Sequence, residues 1–334
     1  MDYIYDKRVI IVGLESGIGK AIAKEVAKYE PKELILVDDS ENSLVKVAEE
    51  LTPWLPYLSF KEVIGNITST EDMRKILFQH KPEILFHTAS WQYIETGERQ
   101  PLETVKVNFL ATKGLARLAE ELEVDRFIFV SSIKAACPRF CIPSTLRMAE
   151  IYLQESSTKS KTKFISVRVG NVLGKDVFLV RTLQMRIANE GIIPIPSSDM
   201  EFYFLPLPLA ADLILRAGGL GKGGEIYSLD KGRPFKIVDL ARHLCILAGL
   251  MEGLDIKFSF VGKWPPFTVE NLSLEEDRLR PTGFRYIQIV ETPNSFSEKL
   301  IQEIDEVEAL AEKCDEKGLV AKVRGYFPAW NPQV

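Results

Sequence analysis

Residues 8–29 restrict the fold more than any other stretch of the chain. Arg8–Val12 is a short apolar, β-branched run bounded by glycine, the pattern of a buried strand. The loop Gly13-Leu14-Glu15-Ser16-Gly17-Ile18-Gly19 follows, and Ile18–Tyr29 then has helical spacing. Glycines there allow a tight turn and let the backbone approach a phosphate closely. The helix start adds free N–H groups and a partial positive charge. A glycine trio alone is also what a plain βα turn would show. Placed directly after a strand and at the opening of a helix, it reads as a dinucleotide loop built from Gly13, Ser16, Gly17, Ile18 and Gly19.

The rest of the first half repeats the same alternation. Strands are expected at 34–37, 60–64, 84–88, 127–130 and 164–169. Helices are expected at 43–51, 70–80, 104–122 and 148–155. Parallel strands separated by helices imply right-handed crossovers. The expected class is therefore α/β, a doubly wound parallel Rossmann sheet with a smaller C-terminal substrate lobe. Residues 1–170 form the dinucleotide-binding domain in this reading, and 171–334 a mixed α/β lobe, some of whose segments return to the main sheet. The lobe carries a helix at 237–250, a strand at 256–260 and one amphipathic helix at 297–317.

The ends of the strands supply the other candidate cofactor residues. Asp38 and Asp39 close the second strand about 20 residues after the last glycine. An acid there accepts hydrogen bonds from ribose hydroxyls and repels a 2′-phosphate, which points to NAD rather than NADP. Either aspartate, or Ser40, could instead cap the next helix. Asn66 and Ile67 follow the third strand, and Thr88, Ala89 and Ser90 the fourth. Asn108 lies inside the next helix, where an asparagine either meets water or holds a neighbour.

With 334 residues, 27% charged and a net charge of −5, the chain has no basic surface for nucleic acid. No apolar run reaches the roughly 18 residues of a spanning helix. The expectation is a cytoplasmic protein with neither a membrane nor a nucleic-acid partner. Four scattered cysteines and three histidines (His80, His87, His243) offer no metal-ligand spacing, although Cys137 and Cys141 lie four apart. Reduced, buried thiols are expected, and no metal.

Several runs carry a family resemblance: Leu34–Asn42, Lys81–His87, Val167–Gly174, Gly221–Tyr227 and Phe327–Pro332. The chain resembles the extended short-chain dehydrogenase/reductases. Within them it is similar to the polysaccharide-biosynthesis, CapD-like UDP-N-acetylglucosamine 4,6-dehydratases. The glycine loop departs slightly, with Ser16 at the family's middle glycine and Gly17 added. The catalytic end departs more. The resemblance implies a tyrosine at 142, a lysine at 146 and an acid at 133, where the chain has Ile142, Leu146 and Ile133. Lys134 survives, as does the hydroxyl of Ser132, and Tyr93 is the nearby phenol. Ser132, Lys134 and Tyr93 are thus the candidate catalytic residues, and Arg168 and Asn171 the candidate substrate contacts.

Family arginines are replaced by aromatic residues near Tyr203 and at Trp264-Pro265-Pro266-Phe267. Loss of each proton-moving group typically lowers a rate by about 10²–10⁴. Three functions therefore stand open. The first is a nucleotide-sugar dehydratase or epimerase with altered chemistry, holding a nucleotide sugar as small-molecule ligand. The second is an inactive dinucleotide-binding sensor or partner protein. The third is an oxidoreductase for an apolar substrate facing Trp264, Phe267, Ile142 and Leu146. The resemblance also implies a homodimer or larger, paired through the helices at 104–122 and 148–155.

Overall fold

In a computed structural model we describe residues 1–54, 58–174, 178–195, 197–230, 232–262, 278–292 and 298–330. The first half runs β1 (Arg8–Val12), α1 (Gly17–Ala27), β2 (Glu33–Asp38), α2 (Glu41–Leu51), β3 (Phe60–Ile64), α3 (Thr70–His80) and β4 (Ile84–His87). It continues with α4 (Ile94–Arg99), α5 (Pro101–Val105), a π-turn (Lys106–Leu110), α6 (Ala111–Glu121), β5 (Arg126–Ser132), α7 (Cys141–Ser157) and β6 (Lys163–Val169). The second half adds β7 (Val172–Leu173), α8 (Phe178–Asn189), β8 (Ile192–Ile195), β9 (Glu201–Pro206), α9 (Leu207–Leu220), β10 (Ile226–Leu229) and β11 (Arg233–Lys236). Then come α10 (Ile237–Leu247), β12 (Lys257–Phe260), β13 (Leu279–Pro281), β14 (Ile287–Val290), α11 (Glu298–Glu312) and α12 (Glu316–Tyr326).

Among the described residues, nine strands form one sheet in the order β13-β14-β10-β6-β5-β4-β1-β2-β3. The pairs from β10 to β3 are parallel, and β13 and β14 add an antiparallel edge. Strands 226–229, 279–281 and 287–290 thus return to the sheet from the second half.

Side chains alternate across β1. Val9 and Ile11 join a core with α1, α2 and α9; Ile10 and Val12 join the opposite core with α3, α6 and α7. A strand buried on both faces explains why its sequence is continuously apolar. The smaller lobe has its own core, where Leu183, Ile187, Ile193, Ile195, Ile237, Ala241 and Ile256 meet. Its strands pair as β11-β9-β7 and β12-β8.

Five local differences from the sequence reading stand out. The helix expected at 104–122 runs without a break from 101 to 121 as α5, a π-turn and α6, starting three residues earlier than expected, with α4 preceding it. Helix α7 begins at Cys141, seven residues earlier than expected, and α8 and α9 fill ground read only as loosened pattern. The helix expected at 297–317 is broken: Cys314 takes a left-handed conformation (φ 54°), and Asp315 caps a new helix by accepting from Gly318 N at 2.9 Å. Cys137, Cys141 and Cys245 are buried thiols outside any disulfide, but Cys314 is exposed at that break, against the expectation of buried thiols.

Candidate active site

The carboxyl ends of β1, β2, β4 and β5 meet at one edge of the sheet, where the parallel topology places ligand sites. Gly13 turns the chain with φ +97°, and a Cβ on it would lie inside the backbone of Ala89. A Cβ on Gly19 would collide with the carbonyl of Gly13. These two glycines are demanded by the turn itself. Gly17 is different: a Cβ there meets only Leu207, at 3.4 Å, so this side of the loop is open. Ser16 is the N-cap of α1, its Oγ accepting from Gly19 N at 3.3 Å. The first N–H groups of α1, those of Gly17 and Ile18, have no intrahelical acceptor.

Neighbouring strands hold the loop in this shape. Thr88 donates its hydroxyl to the Gly13 carbonyl. Asp38, buried, accepts from Leu14 N at 2.5 Å and Glu15 N at 3.0 Å, while its other oxygen takes Ser40 N at 2.9 Å. The aspartate pair is therefore divided. Asp38 fastens the glycine loop, and Asp39 is exposed beside it, its carboxyl raised by partial burial and by the neighbouring Asp38. Ser40 is the cap of α2. Asn66, exposed, closes an Asx turn on Thr68, and Ile67 packs against the core.

Asn108 sits in the π-turn and is fully buried. Its Oδ1 accepts from Trp91 N at 2.7 Å. Its Nδ2 donates to Trp91 O and Thr145 Oγ1, each at 3.2 Å. It thus ties the loop after β4 to α7. The π-turn lets one helix present this side chain where regular winding would carry it off the seam.

On the other side of the cleft, Ser132 ends β5 and accepts from Lys134 N at 3.3 Å. The Lys134 ammonium donates to Gln92 O at 3.2 Å, and Gln92 Nε2 in turn donates to Ser90 Oγ at 2.6 Å. Burial lowers the Lys134 pKa, and no charged neighbour contributes to the shift. Tyr93 is half exposed, and its phenol is raised by partial burial and by the Glu15 carboxylate. A raised phenol is less ionised at neutral pH, the opposite of what a catalytic tyrosinate needs. Ser132, Lys134, Ser90 and Gln92 come together; Tyr93 stands at the rim.

Ile142 and Leu146 are fully buried in the core with α5 and α6 rather than lining a pocket. Ile142 fills the space that a side chain on Gly97 would otherwise take. Trp264 and Phe267 lie outside the described residues. Arg168 is also buried. It gives two hydrogen bonds of 2.8 Å to Glu150, which further accepts from Ser131 Oγ at 2.7 Å and Arg147 Nη1 at 3.0 Å. Asn171 is exposed at the start of the lobe, its carbonyl taking Leu205 N.

The sequence reading missed Glu150 and Glu98, and the anchoring task of Asp38. Glu98 accepts from Cys141 N at 2.5 Å and Trp330 Nε1 at 3.1 Å. An acid at the end of β2 facing a glycine loop was the available signal for Asp38. For Glu150 the signal was its place one turn beyond Leu146 on an otherwise apolar helix face.

A family model described as polysaccharide biosynthesis protein matches residues 9–292. The chain belongs to that family. It is 33% identical over 278 residues to the capsular polysaccharide biosynthesis protein CapD of Staphylococcus aureus, covering 83% of this chain and 46% of CapD. The chain thus spans about half the length of that curated relative. Among solved structures, Pen from Bacillus thuringiensis superposes with a TM-score of 0.75 at 25% identity, over 87% of this chain and 89% of Pen. MoeE5, solved with UDP-glucose and NAD, shares the fold at a TM-score of 0.62 and 17% identity, over 76% of this chain and 85% of MoeE5. The fold is the Rossmann type of the short-chain dehydrogenase/reductases. Among the described residues no helix of this family member is long and apolar enough to cross a membrane.

Proposed function

We propose that this family member binds a nicotinamide dinucleotide, NAD in preference to NADP, together with a nucleotide sugar. In this reading proton transfer rests on Lys134 rather than on a tyrosine–lysine pair. The cofactor half fits the group. The open face at Gly17 and the unbonded amides at the start of α1 suit a diphosphate. Exposed Asp39 suits a ribose and opposes a 2′-phosphate. The dinucleotide, when bound, supplies hydride chemistry; the chain's own groups then hold, orient and move protons. Asn108 fixes the loop over the site, and Ser132 offers a hydroxyl beside Lys134.

The observation that carries the reading is Lys134. Among the described residues the buried ammonium donates to the carbonyl of Gln92 and has no counter-charge that shifts it, which brings it closer to its free base at neutral pH than a surface lysine. MoeE5, of the same fold, is solved with ligands of this class, UDP-glucose and NAD, and CapD is named for capsular polysaccharide biosynthesis.

Native mass spectrometry of the purified chain, with released ligands identified, tests binding. Incubation with NAD and UDP-N-acetylglucosamine then tests turnover by loss of substrate. Expected are bound NAD and slow turnover that Lys134→Ala lowers by about 10²–10⁴. Turnover unchanged in Lys134→Ala would refute the role of Lys134. Bound NAD without turnover would favour the second reading, a dinucleotide-binding protein without catalysis, which the burial of Ile142 and Leu146 supports.

A further inference from the structure

Behind the cleft, buried polar groups form a connected chain that begins at His87. His87 ends β4 and is fully buried, with the rings of Phe127 and Phe129 beside it at centroid distances of 6.1 and 5.2 Å. Its Nε2 lies 2.8 Å from Thr112 Oγ1, and the Thr112 hydroxyl donates to the Asn108 carbonyl, also at 2.8 Å. A hydroxyl has one proton to give, so the imidazole supplies the other: Nε2 donates and Nδ1 is bare. Among the described residues Nδ1 has no partner. A buried acceptor left unpaired costs stability that an apolar ring in its place would not. What the imidazole offers over a third phenylalanine is the bond from Nε2.

Thr112 passes that hold on. It lies four residues after Asn108, and a hydroxyl that bonds back over this distance bends a helix, here at the π-turn. Beside it, Lys113 is 1% exposed and donates to Asp305 at 2.5 Å and Glu308 at 2.8 Å, both on α11. Phe109 shares a core with Ile304 and Val307 of that helix. α6 is thus pinned from outside by α11, and His87 ties its inner side to the sheet. Asn108 then takes both the N–H and the carbonyl of Trp91 through its carboxamide. Gln92, the next residue, presents the carbonyl that the Lys134 ammonium meets at 3.2 Å.

We propose that His87 is a positioning residue for Lys134: through Thr112 it sets the π-turn and Asn108, and Asn108 sets the Gln92 carbonyl against the ammonium. The consequence for turnover rests on the proton-transfer reading of Lys134. The placement does not, and its test uses the full chain without cofactor or sugar.

Two quantities are measured: hydrogen exchange of the Trp91 amide, and the pH midpoint at which Lys134 becomes reactive toward acetic anhydride, both read by mass spectrometry. Thr112→Val keeps the shape and removes the hydroxyl, whereas Thr112→Ser keeps the hydroxyl. His87→Leu removes the donor, whereas His87→Gln keeps one near the place of Nε2. In Thr112→Val and His87→Leu, Trp91 exchange is expected to speed up by about tenfold or more. The Lys134 midpoint, which burial holds down, is expected to rise toward that of a surface lysine as water reaches the loosened loop. Thr112→Ser and His87→Gln should stay near the wild type in both. Thr112→Val decides the matter should His87→Leu not fold. Failure of either quantity to move in Thr112→Val would overturn the proposal, as would movement of the same size in Thr112→Ser. Movement as expected in a protein whose wild type shows no turnover supports the placement and counts against the proton-transfer reading alone.

Discussion

Replacing Glu150 and Arg168, singly and together, decides whether this arginine holds the fold or a ligand. Glu150 is fully buried and Arg168 is 1% exposed. Two parallel hydrogen bonds of 2.8 Å join them, and Ser131 and Arg147 use the remaining capacity of the carboxylate. Glu150→Gln keeps the shape and removes the charge, taking the Glu150 carboxylate away from a buried guanidinium. Breaking one side of such a pair costs about 3–5 kcal/mol, a large part of the roughly 5–15 kcal/mol that keeps a domain folded. Arg168→Met leaves the buried Glu150 carboxylate with only Arg147 and Ser131 beside it and is also expected to destabilise, by less. The pair Glu150→Leu with Arg168→Met removes both desolvation penalties and is expected to cost less than either single change.

The assay is urea unfolding followed by far-ultraviolet circular dichroism at pH 7 and pH 4. Burial by itself raises the Glu150 pKa, but Arg168, with Arg147 and Ser131, outweighs it and the net shift is downward. A carboxylate lowered in the folded state stabilises above its unfolded value, about 4.3, and loses that contribution as pH falls through the folded value. The wild type should therefore lose stability on acidification, and the double variant should lose less. Single changes below about 1 kcal/mol, or a double change equal to the sum of the singles, would refute the reasoning. Either would return Arg168 to the substrate role read from the sequence.

Lys134→Met removes a desolvated charge and should stabilise the fold at pH 7 by about 0.5–2 kcal/mol while lowering turnover, measured by thermal melting beside the activity assay. The sign follows from its lowered pKa: in the wild type, stability rises with pH between the folded and unfolded values, and the variant lacks that rise. Burial pushes the His87 imidazole down to about 3. Its ring proton shifts should stay flat from pH 8 to 4.5, and a titration midpoint above 5 would contradict the burial. The stability tied to this ring is complete above about 6.5 and declines as pH falls toward 3. Gly19→Ala drives a methyl into the Gly13 carbonyl and should abolish NAD uptake in a fluorescence titration, and Gly17→Ala, whose methyl meets only Leu207 in the protein but stands on the face proposed for the diphosphate, should weaken uptake while leaving the melting temperature of the free protein unchanged.

The parallel half of the sheet was legible because its inner strands, such as β1, β2 and β4, are apolar on both sides and the βα turns carry glycine, serine or aspartate. Periodicity reads such elements directly. The lobe was less so. Helix α9 contains Pro208 and ends in Gly218 and Gly219, residues that signal a break in isolation. Pro208 is harmless in the first turn, and Gly218 and Gly219 are packed beside Tyr3. The break at Cys314 depends on a left-handed residue for which cysteine gives no warning. In the site, the loop glycines were readable from spacing. Which aspartate faces outward was not, because it depends on Leu14 and Glu15 presenting their amides to Asp38. The fate of Arg168 was hidden for the same reason: its partner Glu150 lies 18 positions away.

Lys113 and Asp305 are 192 residues apart in the chain. At roughly 5–20 residues per second of synthesis, the α6–α7 face leaves the ribosome about 10–40 s before the helix that covers it exists. For that interval the nascent protein carries an uncovered apolar seam with a lysine at its centre. Lys113, with Arg117 one turn on, then keeps that seam hydrated, and an apolar residue in place of Lys113 would yield less soluble protein from cells even where the finished fold tolerates it.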